Sequence, residues 1–338
     1  MSTIRSWAAL AAGKPLERHD YDPGPLGPDE VEIAVDYCGI CHSDLSMIDN
    51  EWGWSSYPLI PGHEVVGRVA AVGEHVPALR EGQVVGLGWT AQSCMHCACC
   101  LGGDHNLCPE ARPTIVGHHG GFADRVRAHW AWVLPLPQGL RPEVAGPLLC
   151  GGVTVFNPLL EYAILPTSRV GVVGIGGLGH MALRMARAWG CEVTAFTSDP
   201  SKADEARALG AHHVASSRDA AEMARLSGRF DLIIVTANAA LDWAALVGTL
   251  APKGRLHVVG AVPEPIAVEA FSLIPGQKSV SGSPSGSPLA IARMLEFCAR
   301  HGIEPMVETF PMSQVNAAMD RLRAGRMRYR GVLKNDFA

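Results

Sequence analysis

Two kinds of hydrophobic pattern divide this chain. Ahead of Pro147 the apolar runs are short. Val31-Glu32-Ile33-Ala34-Val35 alternates apolar and polar positions, as a half-buried strand does. Residues 65–73, 83–87 and 130–133 read as further extended segments, set apart by Gly- and Pro-rich turns. Many short strands of this kind predict an irregular, β-rich domain. Beyond Pro147 the pattern changes. Continuous apolar strands at 169–173, 192–196, 231–235 and 255–259 are interleaved with helical stretches at 178–189 and 201–209. Strands alternating with helices predict βαβ units and a doubly wound parallel sheet. Helical periodicity returns at 288–300 and 315–324, and the chain closes on a strand-like 330–333. The expectation is an α/β protein of two domains: a β-rich one from residues 1–147 and 285–338, and a parallel-sheet one from residues 148–284.

Composition narrows the class. A chain of 338 residues exceeds what one core usually fills. With 48% hydrophobic and 18% charged residues it is globular rather than disordered. The net charge of -5 and the scattered basic residues argue against nucleic acid or an anionic membrane as partner. The most apolar region, 146–165, is interrupted by Gly, Pro, Asn and Glu, whereas a membrane span needs about 20 largely apolar residues. The short apolar run at 7–12 has no cleavage site after it, so a cytoplasmic protein is expected. In such a protein ten clustered cysteines suggest metal binding before disulfides.

Gly174-Ile175-Gly176-Gly177-Leu178-Gly179 fits the GxGxxG pattern, and it lies where a predicted strand passes into a predicted helix. In that context the glycines allow a tight turn, and backbone N–H groups at a helix N-terminus can approach a pyrophosphate. The end of the next strand selects the coenzyme. An NAD site places a carboxylate there for the ribose 2′-hydroxyl. This chain has Thr197 and Ser198, which can donate to a 2′-phosphate, with Lys202 to supply charge. The reading favours NADP(H), and Asp199, two residues late, is the signal against it.

Cys94, Cys97, Cys100 and Cys108 have the spacing of a metal lobe, in which four thiolates close one Zn²⁺ tetrahedrally. Cys99 competes with Cys100 for the third place. An iron–sulfur site begins similarly, but the long gap before Cys108 and the lack of a second cysteine set favour zinc. A second group is more scattered: Cys41 in Cys38-Gly39-Ile40-Cys41-His42-Ser43-Asp44, then Gly62-His63-Glu64, then Leu149-Cys150-Gly151. A Cys, a His and a distant Cys suit a catalytic zinc with an open position, although spacing alone is a weak guide.

These motifs, in this order, resemble the zinc-containing medium-chain alcohol dehydrogenases over essentially the whole chain, in particular the cinnamyl alcohol dehydrogenase-like branch and its bacterial NADPH-dependent aldehyde reductases. The resemblance implies a GroES-like catalytic domain, a Rossmann coenzyme domain and two zinc ions per chain. It implies that Cys41, His63 and Cys150 bind the catalytic zinc, with Glu64 beside it and Asp44 orienting His63. It also implies that Cys94, Cys97, Cys100 and Cys108 hold the structural zinc. Ser43 would hydrogen-bond the substrate oxygen, Thr154 would pack near the nicotinamide, and His42 and Arg330 would lie near the pyrophosphate.

The implied reaction is reversible reduction of a small aldehyde to a primary alcohol by hydride from NADPH. An NAD-dependent zinc alcohol or polyol dehydrogenase is the alternative. Dimers and tetramers are both usual in the family. At one place the chain departs from it: Ser46 stands where many members carry a relay histidine, which leaves Ser46 with a water, or Asp49, to end the proton path. Trp52, Trp54, Trp89 and Leu59 are candidates to line an apolar substrate pocket.

Overall fold

The computed structural model describes residues 3–262 and 264–337. By their contacts they form two units, Met1–Val153 with Ser285–Ala338, and Thr154–Pro284. Residues 148–153 therefore cluster with the first unit.

The first unit is built on a seven-stranded mixed sheet. Its longest strand, Glu30–Ile40, pairs antiparallel with Val65–Val72, Arg125–His129 and Arg330–Lys334. Val84–Leu87 and Val133–Pro135 continue the sheet on one side, and Val307–Pro311 closes the other. Arg330–Lys334 lies between Val307–Pro311 and Glu30–Ile40, so a strand from late in the chain completes the sheet that residues 30–40 begin. The helix Pro288–His301 belongs to this unit and has clear stop and start signals. Ser287 accepts from the Ala290 N–H at 3.3 Å, Pro288 opens the helix, and Gly302 closes it at φ +61°.

The second unit carries a six-stranded, all-parallel sheet. Its strands run His213–Ser216, Glu192–Thr197, Arg169–Val173, Phe230–Val235, Leu250–Val258, Ser279–Gly282. In chain order this is 3-2-1-4-5-6, the doubly wound arrangement that opens a crevice where the strand order reverses. The inner strands are buried on both faces, which is why they read as continuous apolar runs rather than alternating ones.

One expected strand is absent. Trp130–Trp132 forms a 3₁₀ turn, and the strand begins only at Val133. The Trp-Ala-Trp-Val alternation imitates a strand, but His129 caps the turn by accepting from the Ala131 N–H at 3.2 Å. The buried Trp132 indole then donates to Ser93 Oγ at 3.1 Å. These local side-chain bonds offer the backbone an alternative to a ladder. The expected helix after the second parallel strand also starts differently. Asp199 caps a 3₁₀ turn at Pro200–Lys202, and the α-helix runs Ala203–Ala208. Among the described residues, no single helix is long and apolar enough to cross a membrane.

Candidate active site

Cys41 ends the longest strand's run and caps the short helix His42–Ile48. Its backbone N–H donates to Asp44 Oδ2 at 2.9 Å, so the residue three places into the helix reaches back to its start. The other oxygen, Asp44 Oδ1, accepts from the Gly62 N–H and from His63 Nδ1–H, each at 2.9 Å. One buried carboxylate thus fixes Cys41 and His63, which lie far apart in sequence. With Nδ1 committed as a donor, the lone pair of His63 Nε2 is left facing Cys150 Sγ at 3.3 Å.

Donor atoms of Cys41, His63, Glu64 and Cys150 all lie within 4.8 Å of one another. The group belongs wholly to the first unit. Glu64 fits there because residue 39 is glycine: a Cβ at that position would fall 2.1 Å from Glu64 Oε2. Arg330 Nη2 donates to Glu64 Oε1, and both side chains are buried. Burial pushes the Glu64 carboxyl up to about 7, against the pull of the Arg330 guanidinium. Its second oxygen, Oε2, is buried with no partner among the described residues. Two thiols, an imidazole and an orphaned carboxylate oxygen in one buried spot have the chemistry of a zinc site, since a cation would satisfy what the protein leaves unpaired. Arg330, expected beside a pyrophosphate, is placed here as the partner of Glu64.

The surroundings are aromatic on one side. The Trp89 ring meets His63 edge-on at 5.0 Å, Trp52 packs 6.1 Å from Trp89, and Trp54 packs 5.6 Å from Trp52. Trp54 is 59% exposed, so the row runs from the donor group to solvent. Leu59 is buried and pairs through its backbone with Ala9. Ser43 Oγ lies 3.8 Å from Cys41 Sγ. Ser46, one turn on along the helix, donates to Glu51 Oε2 at 2.6 Å, and Glu51 is exposed. Asp49 is engaged by the Arg323 guanidinium through both oxygens.

The four-cysteine segment also closes on itself. Sulfurs of Cys94, Cys97, Cys100 and Cys108 lie within 4.8 Å of one another, and Cys100 rather than Cys99 completes the group. A tetrahedral ion with bonds of ~2.3 Å needs sulfurs about 3.8 Å apart; Cys94 and Cys100 are 3.9 Å apart. Backbone N–H groups of Cys97 and Cys100 donate to Cys94 Sγ and Cys97 Sγ at 3.3 and 3.5 Å, which favours thiolates. All ten cysteines are free, and the donor set suits zinc.

In the second unit the glycine turn opens the helix Gly179–Trp189. Gly179 packs so tightly on the preceding turn that a Cβ would lie 1.9 Å from the Gly174 carbonyl oxygen. By contrast a Cβ at Gly176 would meet nothing within 4 Å, which leaves backbone N–H groups open to a phosphate. Gly174, Thr197, Ser198, Asp199 and Lys202 line a cavity of about 690 Å³. Asp199 Oδ1 is occupied there by the Ser201 N–H and hydroxyl, at 3.0 and 2.7 Å. Arg218 also lines the cavity and was not evident from the sequence. Thr197 and Ser216 are register partners in neighbouring parallel strands, so the loops after both open at the same end of the sheet. Gly177 and Leu178 stand in the same turn, Thr154 in the first turn of the helix Gly151–Glu161, and His42 at the start of its helix.

Comparison with known proteins agrees with this architecture. Residues 27–138 match the alcohol dehydrogenase GroES-like domain, and residues 177–300 match the zinc-binding dehydrogenase family. The chain belongs to the zinc-binding alcohol dehydrogenases, and it interconverts aldehydes and alcohols. It is 55% identical over 332 residues to the aldehyde reductase AdhA of Synechocystis, covering 98% of this chain and 99% of that one. The cinnamyl alcohol dehydrogenase structure from Sorghum bicolor matches with a TM-score of 0.93 at 39% identity, over 98% of each chain. That of the Helicobacter pylori enzyme, complexed with NADP(H), matches with a TM-score of 0.89 at 29% identity, again over 98% of each.

Proposed function

We propose that this enzyme reduces aldehydes to primary alcohols with NADPH, reversibly, and carries two zinc ions. Cys41, His63 and Cys150 hold the catalytic one, with Glu64 as an adjacent donor. Cys94, Cys97, Cys100 and Cys108 hold the structural one. The observation that carries the reading is the buried convergence of Cys41, His63, Glu64 and Cys150 beside an aromatic row that opens to solvent. When bound, zinc supplies Lewis-acid polarisation of the aldehyde oxygen, and the coenzyme supplies the hydride.

The protein's own groups do the rest. Asp44 fixes the tautomer and angle of His63. Arg330 balances charge at Glu64 within a site that also holds two thiols. Trp52, Trp54 and Trp89 favour aliphatic and aromatic aldehydes over charged ones and exclude water around the carbonyl. Ser43 gives the product oxygen its proton. Ser46, three residues along the same helix, donates to Glu51 and, with a water between the two serines, links Ser43 to that exposed carboxylate, which draws its protons from solvent. The proton path therefore ends on Glu51 rather than on Asp49, which Arg323 holds.

The first unit is the catalytic domain and the second binds the coenzyme. Its glycine turn, Gly174 to Gly179, receives the pyrophosphate. Thr197 and Ser198 donate to the 2′-phosphate, and Lys202 and Arg218 supply positive charge. Thr154 and His42 are further coenzyme contacts. The NADP(H) of the Helicobacter pylori relative supports this coenzyme.

Oxidation of NADPH and of NADH, measured side by side with butanal, tests the reading. We expect NADPH to be strongly preferred. Removing both cations in Lys202→Ala/Arg218→Ala should raise the KM for NADPH by about 10–100-fold, the scale of charge-assisted hydrogen bonds, and leave the NADH rate unchanged. A native preference for NADH would discard the 2′-phosphate assignment, return Asp199 as ribose partner, and leave the zinc chemistry standing.

A further inference from the structure

The four-cysteine lobe contains a second donor group that overlaps the first. Donor atoms of Cys94, His96 and Glu110 lie within 4.8 Å of one another. Cys94 is common to both groups, but the surroundings differ. Cys100 and Cys108 are 4% and 6% exposed, whereas His96 and Glu110 are exposed at the surface. Met95, between Cys94 and His96, takes a positive φ of 65°, a conformation few residues adopt without a tertiary reason. Among the described residues the side chains of His96 and Glu110 make no hydrogen bond or ion pair, so neither is engaged elsewhere.

A closed four-thiolate site poses a problem of access. A divalent ion stripped of its water before reaching all four sulfurs would carry a desolvation penalty of several kcal/mol or more. Exchange of one ligand at a time avoids that state, and it requires donors on the path. The buried positions of Cys100 and Cys108 bar approach from their side. The half-buried Cys94 and Cys97 face the approach, and His96 and Glu110 stand at Cys94.

We propose that Cys94, His96 and Glu110 form a capture site that loads the structural zinc. The hydrated ion first exchanges waters for the Glu110 carboxylate, the His96 imidazole and Cys94, whose thiol proton goes to solvent. This set carries two negative charges and neutralises the ion. Cys94 then stays bound while Cys97, Cys100 and Cys108 replace His96, Glu110 and the last bound water. Each joining thiol also releases its proton to solvent. His96 and Glu110 return to water and take no part in the finished site. By microscopic reversibility they speed release as well as entry.

The proposal rests on the four cysteines holding a metal, and its test separates the two ideas. Zinc-loaded enzyme is exposed to ¹¹³Cd²⁺, and exchange is followed by cadmium NMR, where an all-sulfur site resonates apart from a mixed nitrogen–sulfur one. In His96→Ala/Glu110→Gln, growth of the all-sulfur signal should slow by about tenfold, the lower end of what a lost auxiliary metal contact costs. The final signal intensity, the melting temperature and the exchange rate of the mixed site should equal those of the parent. An unchanged all-sulfur rate overturns the capture role. A lowered final intensity or melting temperature also overturns it, by making the pair permanent structural groups. Failure of any all-sulfur signal to appear in the parent would instead remove the four-cysteine metal site itself.

Discussion

The two donor groups of the first unit are built in opposite ways. The four-cysteine group draws every sulfur from one segment, residues 94–108, and is held mainly by backbone N–H groups of that segment. The other group takes Cys41, His63, Glu64 and Cys150 from three separate places and needs supports that are not ligands: Asp44, Arg330 and the glycine at position 39. A local site can form wherever its own loop closes, and it leaves no unpaired buried carboxylate. The assembled site keeps Glu64 Oε2 unpaired and lies against an aromatic row. The difference teaches where reactivity belongs. A closed, self-sufficient shell stabilises a lobe, while an incompletely satisfied one is poised to take a further ligand.

Separating the two groups by mutation gives the largest expected effect. Cys150→Ser should lower kcat/KM by about 10³-fold, the scale of several kcal/mol of Lewis-acid stabilisation, with a melting temperature near that of the parent. Cys100→Ser should do the reverse, costing on the order of 5–10 °C while the surviving enzyme turns over normally. Differential scanning calorimetry and steady-state kinetics on both variants check the contrast, and equal melting temperatures for Cys100→Ser and the parent would hand its place to Cys99.

A smaller effect is expected from the support. Asp44→Ala leaves all four candidate donors in place but frees His63 and two backbone N–H groups, so zinc affinity at this site should fall by about 10–100-fold. A competitive titration against a chromophoric chelator measures it; parent affinity would mean that packing alone orients His63.

The smallest effect lies outside both groups. His257, in the second unit, is buried with its ring nitrogens 2.9 Å from the Ser281 and Ser283 hydroxyls, and burial pulls its pKa from 6.5 down to about 4. Between those values the unfolded chain binds a proton that the folded one refuses. Its contribution is therefore complete above about pH 6.5 and is lost as pH falls toward 4. In His257→Gln that acid slope of stability should flatten, as urea unfolding at a series of pH values would show. An unchanged slope would assign acid sensitivity to the donor groups instead.

The residues that could be read in advance share a property: their signal is local. The glycine turn, the cysteine spacing and the continuous apolar strands each depend on neighbours a few positions away. Trp130–Trp132 misled because two tryptophans at alternate positions imitate a strand, whereas the His129 cap and the Trp132–Ser93 bond hold a turn. Arg218 and Glu51 were missed because each matters through a partner on another loop or beyond the end of its helix.

By itself, then, the sequence determined the α/β class, the parallel sheet and the glycine turn, because periodicity and backbone conformational preference act over short stretches. It also determined which residue types were available to bind metal. Tertiary structure alone decided that Cys100 rather than Cys99 completes the sulfur group, that Asp44 serves Cys41 and His63 together, and that Arg330 is buried against Glu64. The physical reason is that desolvation and charge pairing depend on what surrounds a group in space, and that environment exists only after distant strands have packed.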